Sequence, residues 1–309
     1  MSPPVVVRLL APLSALALAP LLLGLIGRVK ALMGARCGAP LLQPYRDLAR
    51  LLGKGEVLGA TATLLFRLGP VATLASTAAA LFLLPAGPLP PVLSFPGDLL
   101  LLAYLLALGR FGIMAAAMDT GSAFEGMGAS REAAFSALSE PALFLALGGL
   151  AWARHDLSLG ALLGGGTAAS LARQAPALGL FTAALFLLLL AENSRIPVDD
   201  PATHLELTMI HEVMVLDHSG PTFAAVLYGA SLKLWVFASL LVSVWIPVGL
   251  PAWASAGLYA AGMALVAVSV GLVESLTARL KLAKVPRFLA LAGVLAGLGC
   301  LVLFAGGRP

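Results

Sequence analysis

The chain has 309 residues, 60% of them apolar and 11% charged, with a formal net charge of +4. That is more apolar and far less charged than an average soluble domain, which excludes an ordinary water-soluble enzyme and makes this an integral membrane protein. With lipid outside, backbone polar groups must be satisfied within their own segment, and the long apolar runs exclude barrel strands, so the expected fold is an all-α polytopic bundle.

A spanning helix needs roughly 17–25 mostly apolar residues. Eight segments qualify, near 6–27, 66–84, 99–118, 133–153, 175–191, 223–247, 252–273 and 288–305. They predict one integral membrane domain over residues 1–309, with no low-complexity linker and no internal repeat. The first run resembles a secretory signal but carries a single arginine and no convincing cleavage site, and seven spans follow, so it is expected to be retained. Pro12 and Pro20 inside it are tolerable because neighbouring helices can re-satisfy the freed carbonyls.

Residues 44–58 read PYRDLARLLGKGEVL, with Leu48, Leu51 and Leu52 on one face and Arg46, Arg50 and Lys54 on another. That spacing fits a short amphipathic helix on the inner membrane surface; the alternative is a solvated basic loop. Residues 119–139 contain Gly121, Gly126 and Gly128, which predict irregular backbone before a helix starting near Ser130, with Ser130 as N-cap and Arg131 and Glu132 in the first turn. GMGASR lacks the third glycine of a dinucleotide fingerprint and follows no strand, so no nucleotide site is expected. The stretch is either a plain connector or, given Asp119 and Glu125, a loop lining a cavity.

Thirteen basic residues fall in the odd-numbered loops, from Arg28 and Lys30 through Arg131 and Arg195 to Arg279 and Arg287. Four, Arg8, Arg154, Arg173 and Arg308, fall at the termini and in even-numbered loops. This asymmetry predicts cytoplasmic odd loops with both termini outside, and it accounts for the basic balance without a nucleic-acid partner. Cys37 and Cys300 cannot by themselves build an iron–sulfur cluster or a cysteine-based nickel site, so any redox metal is expected in a partner.

Residues 192–221 hold six of the fifteen carboxylates and three of the four histidines, between two long apolar segments. Such a concentration calls for a water-exposed loop or a polar path into the protein. After Pro197 and Pro201, residues 203–216 are predicted helical. His204, His211 and His218 are spaced by seven, roughly 10 Å apart along a helix, too far for one metal ion. In HEVMV, Val215 stands where a zinc protease needs its second histidine. Asp200, His204 and Glu206 lie on separate helical faces, and Ser194 and Ser219 sit on no nucleophile elbow.

Proton handling suits these residues better, since carboxylates and imidazoles in low dielectric can titrate near neutrality. Glu192 follows directly on FTAALFLLLLA; Glu140 lies inside the fourth span and Glu274 at the end of the seventh. Arg110 and Lys233, in the third and sixth spans, are the natural partners, and pairing of either with Glu140 or Glu192 is expected. A static ion pair that only orients helices is the competing reading.

The segment AENSRIPVDDPATHLELTMIHEVMVLDHSGP resembles the signature of the membrane subunit of formate hydrogenlyase and related energy-converting group 4 nickel–iron hydrogenases. GARCGAPLLQPYRDLARLLGKG, DTGSAFEGMGASRE with EPALFLAL, and ESLTARLKLAKVP extend the match from residue 28 to 286. That family is similar in turn to subunit 1 of respiratory complex I, whose members have something like AETNRAPFDLPE here. Ile196, Val198, Asp200 and Pro201, followed by THLELTMIHEV and LDHSGP, lie closer to the hydrogenase branch, which argues against a quinone substrate.

The resemblance implies a complex I subunit 1-like fold of eight spanning helices in the inner membrane of a prokaryote. It implies a chain without its own cofactor that anchors a hydrogenase-type large subunit and an iron–sulfur small subunit. The same chain would contact antiporter-like membrane subunits and couple redox chemistry to H+ or Na+ movement. By motif it makes Glu140, Glu192, Asp199, Asp200, Glu206 and Glu212 coupling residues, with Arg195, His204 and His211 as polar partners. Asp119, Glu125 and Arg131 would then belong to a loop facing the large subunit. The rival readings are a quinone-binding complex I subunit, a stand-alone cation transporter and a purely structural anchor.

Overall fold

A computed structural model of the chain describes residues 5–59, 61–164, 166–200 and 208–306. Its helices are α1 (Val5–Met33), α2 (Gln43–Leu52), α3 (Leu64–Ala80), α4 (Asp98–Asp119), α5 (Ala123–Arg154), α6 (Leu159–Gly164), α7 (Ala168–Glu192), α8 (Gly220–Ser243), α9 (Ala252–Leu276) and α10 (Val285–Ala305). Among the described residues eight helices are long and apolar enough to cross a membrane: all of these except the short α2 and α6. Each expected span falls on one of them. The outward faces carry large apolar side chains such as Phe111, Leu265 and Phe304, as lipid contact requires.

Helix α8 is the hub, packed against α1, α2, α3, α7 and α9, while α10 lies against α5 and α7. Small residues allow the closest approaches. A Cβ on Gly69 of α3 would stand 2.5 Å from the carbonyl oxygen of Gly112 on α4, the small-residue packing that membrane helices use in place of a hydrophobic drive. Pro20 leaves the Leu16 carbonyl without its helical donor, and the Tyr228 hydroxyl of α8 donates to that oxygen at 2.7 Å.

Chain direction alternates, so the segments around 34–59, 61–63, 119–122, 193–200, 208–219 and 277–284 gather at one end, tied together by Asp119–Thr63, Ser219–Val57 and Arg279–Asp199 contacts. The segments around 84–97, 155–164, 166–167 and 244–251 gather at the other, through Gly97–Leu157, Ser94–Ser158 and Val248–Gly166.

Two expectations need correction. The helix predicted to begin at Ser130 begins at Ala123, with Ser122 at its N-cap and Gly121 supplying the turn at φ +71°. Gly128 is a packing residue, because a Cβ there would lie 2.4 Å from Val213 and 2.8 Å from Met214. The Ser130 hydroxyl donates back to the Met127 carbonyl within the helix. The second correction concerns 203–216. Residues 201–207 lie outside the described residues; beyond them the only helical piece is a 3-10 turn at Glu212–Val215. The N–H groups of Ile210 and His211 donate to the Asp199 carboxylate at 3.0 Å each, which takes the donors a helical ladder would use.

Candidate functional site

Arg110 lies about halfway along α4, and its guanidinium reaches three carboxylates on α5 and α7. Nη1 donates to Glu140 Oε1 at 2.7 Å, Nη2 to both Glu192 oxygens at 2.9 Å, and Nε is 3.3 Å from Glu132 Oε1. Glu192 also accepts from the Ser139 hydroxyl at 2.6 Å and pairs with Lys233 Nζ of α8 at 2.8 Å. The Arg110 and Glu192 side chains are 7% and 8% exposed, so this charge is out of water and stays tolerable only because it is matched. Glu140 keeps 43% exposure on the outer surface of the bundle.

The network continues toward the charged end. Glu132 Oε2 is 3.1 Å from His211 Nε2, and His211 Nδ1 is 3.7 Å from Asp199 Oδ2. Asp199 in turn accepts from Arg279 Nη2 at 2.9 Å, and Arg279 also donates to the Thr208 carbonyl. The result is an alternating sequence, Lys233, Glu192, Arg110, Glu132, His211, Asp199, Arg279, with Glu140 as a branch. Burial opposes protonation of His211, but Glu132 and Asp199 outweigh it and raise its pKa to about 10, so the ring is an imidazolium at pH 7. Burial likewise works to raise Asp199, and His211 together with the backbone N–H donors reverses that, holding it below the usual carboxylate range. His218 differs: stacked on Phe66 at a centroid distance of 4.0 Å, it is pushed by burial down to about 4 and is neutral.

A cavity of about 130 Å³ opens beside this sequence, its wall including Thr77, Arg110, Glu132, Glu192, His211 and Lys233. At roughly 10–15 Å³ of such space per water it has room for several waters. Among the described residues no group of three His, Cys, Asp or Glu side chains is close enough to hold a metal ion.

The expected partnership of Arg110 and Lys233 with Glu140 and Glu192 is present, and Asp199 and His211 join it. The backbone N–H of Asp200 donates to the Asp199 carboxylate, and Glu212 lines the cavity. His204 and Glu206 lie outside the described residues. Arg195 and Glu274 stand apart, 3.3 Å from each other, with Lys30 Nζ 2.8 Å from Glu274. The three residues assigned to a partner-facing loop contact their own chain. Asp119 accepts from Thr63 N, Thr63 Oγ1 and Phe66 N and so caps α3; fully buried Glu125 accepts from Asp217 N at 3.0 Å; Arg131 donates to the Met209 carbonyl at 2.7 Å.

Sequence reasoning missed Glu132, Ser139, Arg279 and Lys30 as members of these networks. Glu132, Ser139 and Glu140 are spaced by seven and eight, which puts them on one helical face. That signal is readable once α5 is known to begin before Glu132.

The NADH dehydrogenase family profile matches residues 6–305. Formate hydrogenlyase subunit 4 of Escherichia coli (strain K12) is 34% identical over 282 residues, covering 88% of this chain and 89% of that protein. Hydrogenase-4 component C of the same organism is 34% identical over 242 residues, covering 76% and 73%. A chain in the structure of the membrane-bound sulfane sulfur reductase, an archaeal respiratory membrane complex, superposes with a TM-score of 0.81 at 23% identity, over 96% of this chain and 98% of that one, which demonstrates a common fold. The arrangement of eight spanning helices around a buried polar sequence is therefore that of a multi-pass membrane subunit, and the chain belongs to the NADH dehydrogenase family.

Proposed function

We propose that the chain is the membrane anchor and ion-coupling subunit of a hydrogenase-like, complex-I-related oxidoreductase. The observation that carries this reading is the unbroken alternation of charges from Lys233 to Arg279, beside a water-sized cavity. The identity to two hydrogenase-type membrane subunits supports the branch. Redox groups, iron–sulfur clusters and a nickel–iron site where its ligands are kept, belong to a large and a small peripheral subunit. These sit at the charged end, the cytoplasmic side on the count of basic residues. Antiporter-like subunits sit alongside in the membrane. Half-exposed Glu140 marks their contact, because a carboxylate facing lipid is costly and a polar neighbour removes that cost.

The residues suggest how coupling works. Asp199 grips the backbone of residues 210–211, so movement in the peripheral arm that pulls on this segment changes the spacing of His211 from Glu132. His211 can then release a proton to Glu132. Arg110 cannot carry it further, since a guanidinium does not deprotonate in proteins. Transfer from Glu132 to Glu192 therefore runs through waters in the cavity, with Arg110 stabilising the carboxylate at each side. A cavity of about 130 Å³ is below the roughly 300–1,000 Å³ of ordinary ligand pockets, which favours water over a quinone headgroup.

Replacing Glu192 by Gln in the assembled complex tests this. Subunit composition should be unchanged, while ion translocation in sealed vesicles falls at least about tenfold, as for loss of a positioned proton carrier. Wild-type translocation per turnover in Glu192→Gln vesicles would refute the role. Quinone-site inhibition of the complex would move the reading to a quinone-reducing enzyme.

A further inference from the structure

At the end of the bundle opposite the ion sequence, the turns after α3 and α8 and the short helix α6 line an open-mouthed cavity of about 590 Å³. That lies within the roughly 300–1,000 Å³ of ligand sites, unlike the smaller chamber beside Arg110. Its wall is rigid, with Pro85, Pro88, Pro90, Pro91 and Pro247 fixing the backbone, so the space is preformed. Among the described residues Arg8 is the one charged residue lining it. Its Nε is buried and, among the described residues, has no hydrogen-bond partner. Ser243, 3% exposed, also lines the cavity, and its hydroxyl is buried with no partner among the described residues.

A guanidinium whose Nε is buried without an acceptor is left with an unmet donor, and an anion in the cavity would satisfy it. The depth of Arg8 says which anion is at hand. Val6 and Leu10, two residues to either side in α1, are 73% and 50% exposed, so at the level of Arg8 the helix presents apolar surface on its other face. Arginine at such a position belongs at the boundary where acyl chains give way to headgroups. The planar guanidinium fork matches a phosphate in two parallel hydrogen bonds, and a serine hydroxyl adds a third donor.

We infer that this cavity binds the phosphate of an anionic phospholipid headgroup, held by Arg8 with Ser243 as second donor. It is a structural lipid site at the face remote from the coupling residues, and it does not depend on the proposed function.

The test uses the whole complex purified through a tag on this chain, stripped of loosely held lipid and analysed by native mass spectrometry. It is then returned to vesicles of phosphatidylglycerol or of phosphatidylcholine. The wild type should retain and rebind phosphatidylglycerol over phosphatidylcholine. Arg8→Gln should weaken that binding about tenfold, the loss expected for one charge-assisted contact, with Arg8→Lys in between. Ser243→Ala, which removes only a hydroxyl, should weaken it by a smaller factor while leaving assembly intact, and so keeps the test open if Arg8→Gln fails to assemble. Inorganic phosphate should compete with the lipid. Equal lipid retention by wild type and all variants, binding of inorganic phosphate without lipid, or a partner subunit's carboxylate seated against Arg8 in the assembled complex would each overturn the assignment.

Discussion

Glu192 and Glu274 look alike locally. Each is buried in the last turn of a spanning helix, and each is met by two cations, Arg110 and Lys233 for Glu192, Lys30 and Arg195 for Glu274. They differ in what lies beyond. Arg110 touches Glu132 and Glu140 as well, so the charge pattern around Glu192 continues on to His211 and Asp199. Around Glu274, among the described residues, the ion pairs end at its two cations, and Lys30 is 37% exposed to solvent. On the proposed function, a buried carboxylate whose cations lead to further carboxylates passes on a change in charge, whereas Glu274, with Lys30 leading to water, ties α1, α9 and the turn after α7 together. Sequence position alone made both acids coupling candidates, and the two differ in their second layer of contacts.

Substituting Arg110 breaks the comparison most severely. Arg110→Met leaves Glu132 and Glu192 buried with one cation fewer between them, and removing one partner from a buried pair destabilises by about 3–5 kcal/mol. The expected outcome is a complex with little of this chain incorporated, measured by co-purification. Restoration of assembly by the double change Arg110→Met with Glu192→Gln would attribute the loss to uncompensated charge rather than to lost packing. Normal assembly of the single variant would mean that Arg110 is dispensable and the sequence of charges is not continuous.

The His211 link is tested by pH. Its folded pKa of about 10 is above the ordinary 6.5, so the stability it contributes is fully present below about 6.5 and is lost as pH rises through about 10. The melting temperature of the wild-type complex should therefore exceed that of His211→Gln by most near pH 6.5, and the gap should close toward pH 10. A gap independent of pH would show that the ring is not held as an imidazolium between Glu132 and Asp199.

The eight spans, the surface helix α2 and the Arg110–Glu192 partnership were legible because each rests on composition or on the rarity of charge within an apolar run. The part that was not legible has a common cause. Gly126 and Gly128 read as loop residues, since a single sequence does not reveal that Val213 and Met214 press against Gly128 from a distant segment. Starting α5 too late removed Glu132 from its helical face and so from the site. In the same way, Lys30 and Arg279 were counted as loop charges that set topology, and each turns out to neutralise a buried acid brought to it by another element. Asp199 looked like one acid among several. Its burial and its four donors or more, two of them backbone N–H groups eleven and twelve residues away, are long-range facts.

The smallest effect is expected at Glu274, and it is the most informative for the distinction drawn above. Glu274→Gln keeps the shape of the side chain and a hydrogen-bond acceptor for Arg195, while Lys30, already partly in water, rehydrates. The loss from the solvent-screened Lys30 pair should be about 1 kcal/mol, and the Gln carbonyl keeps an acceptor against Arg195. Translocation per turnover should be that of the wild type, in contrast to Glu192→Gln. If Glu274→Gln instead uncouples the complex at unchanged assembly, the triad with Lys30 and Arg195 has an outlet through partner subunits, and charge transfer enters the bundle along α9 as well as through Asp199.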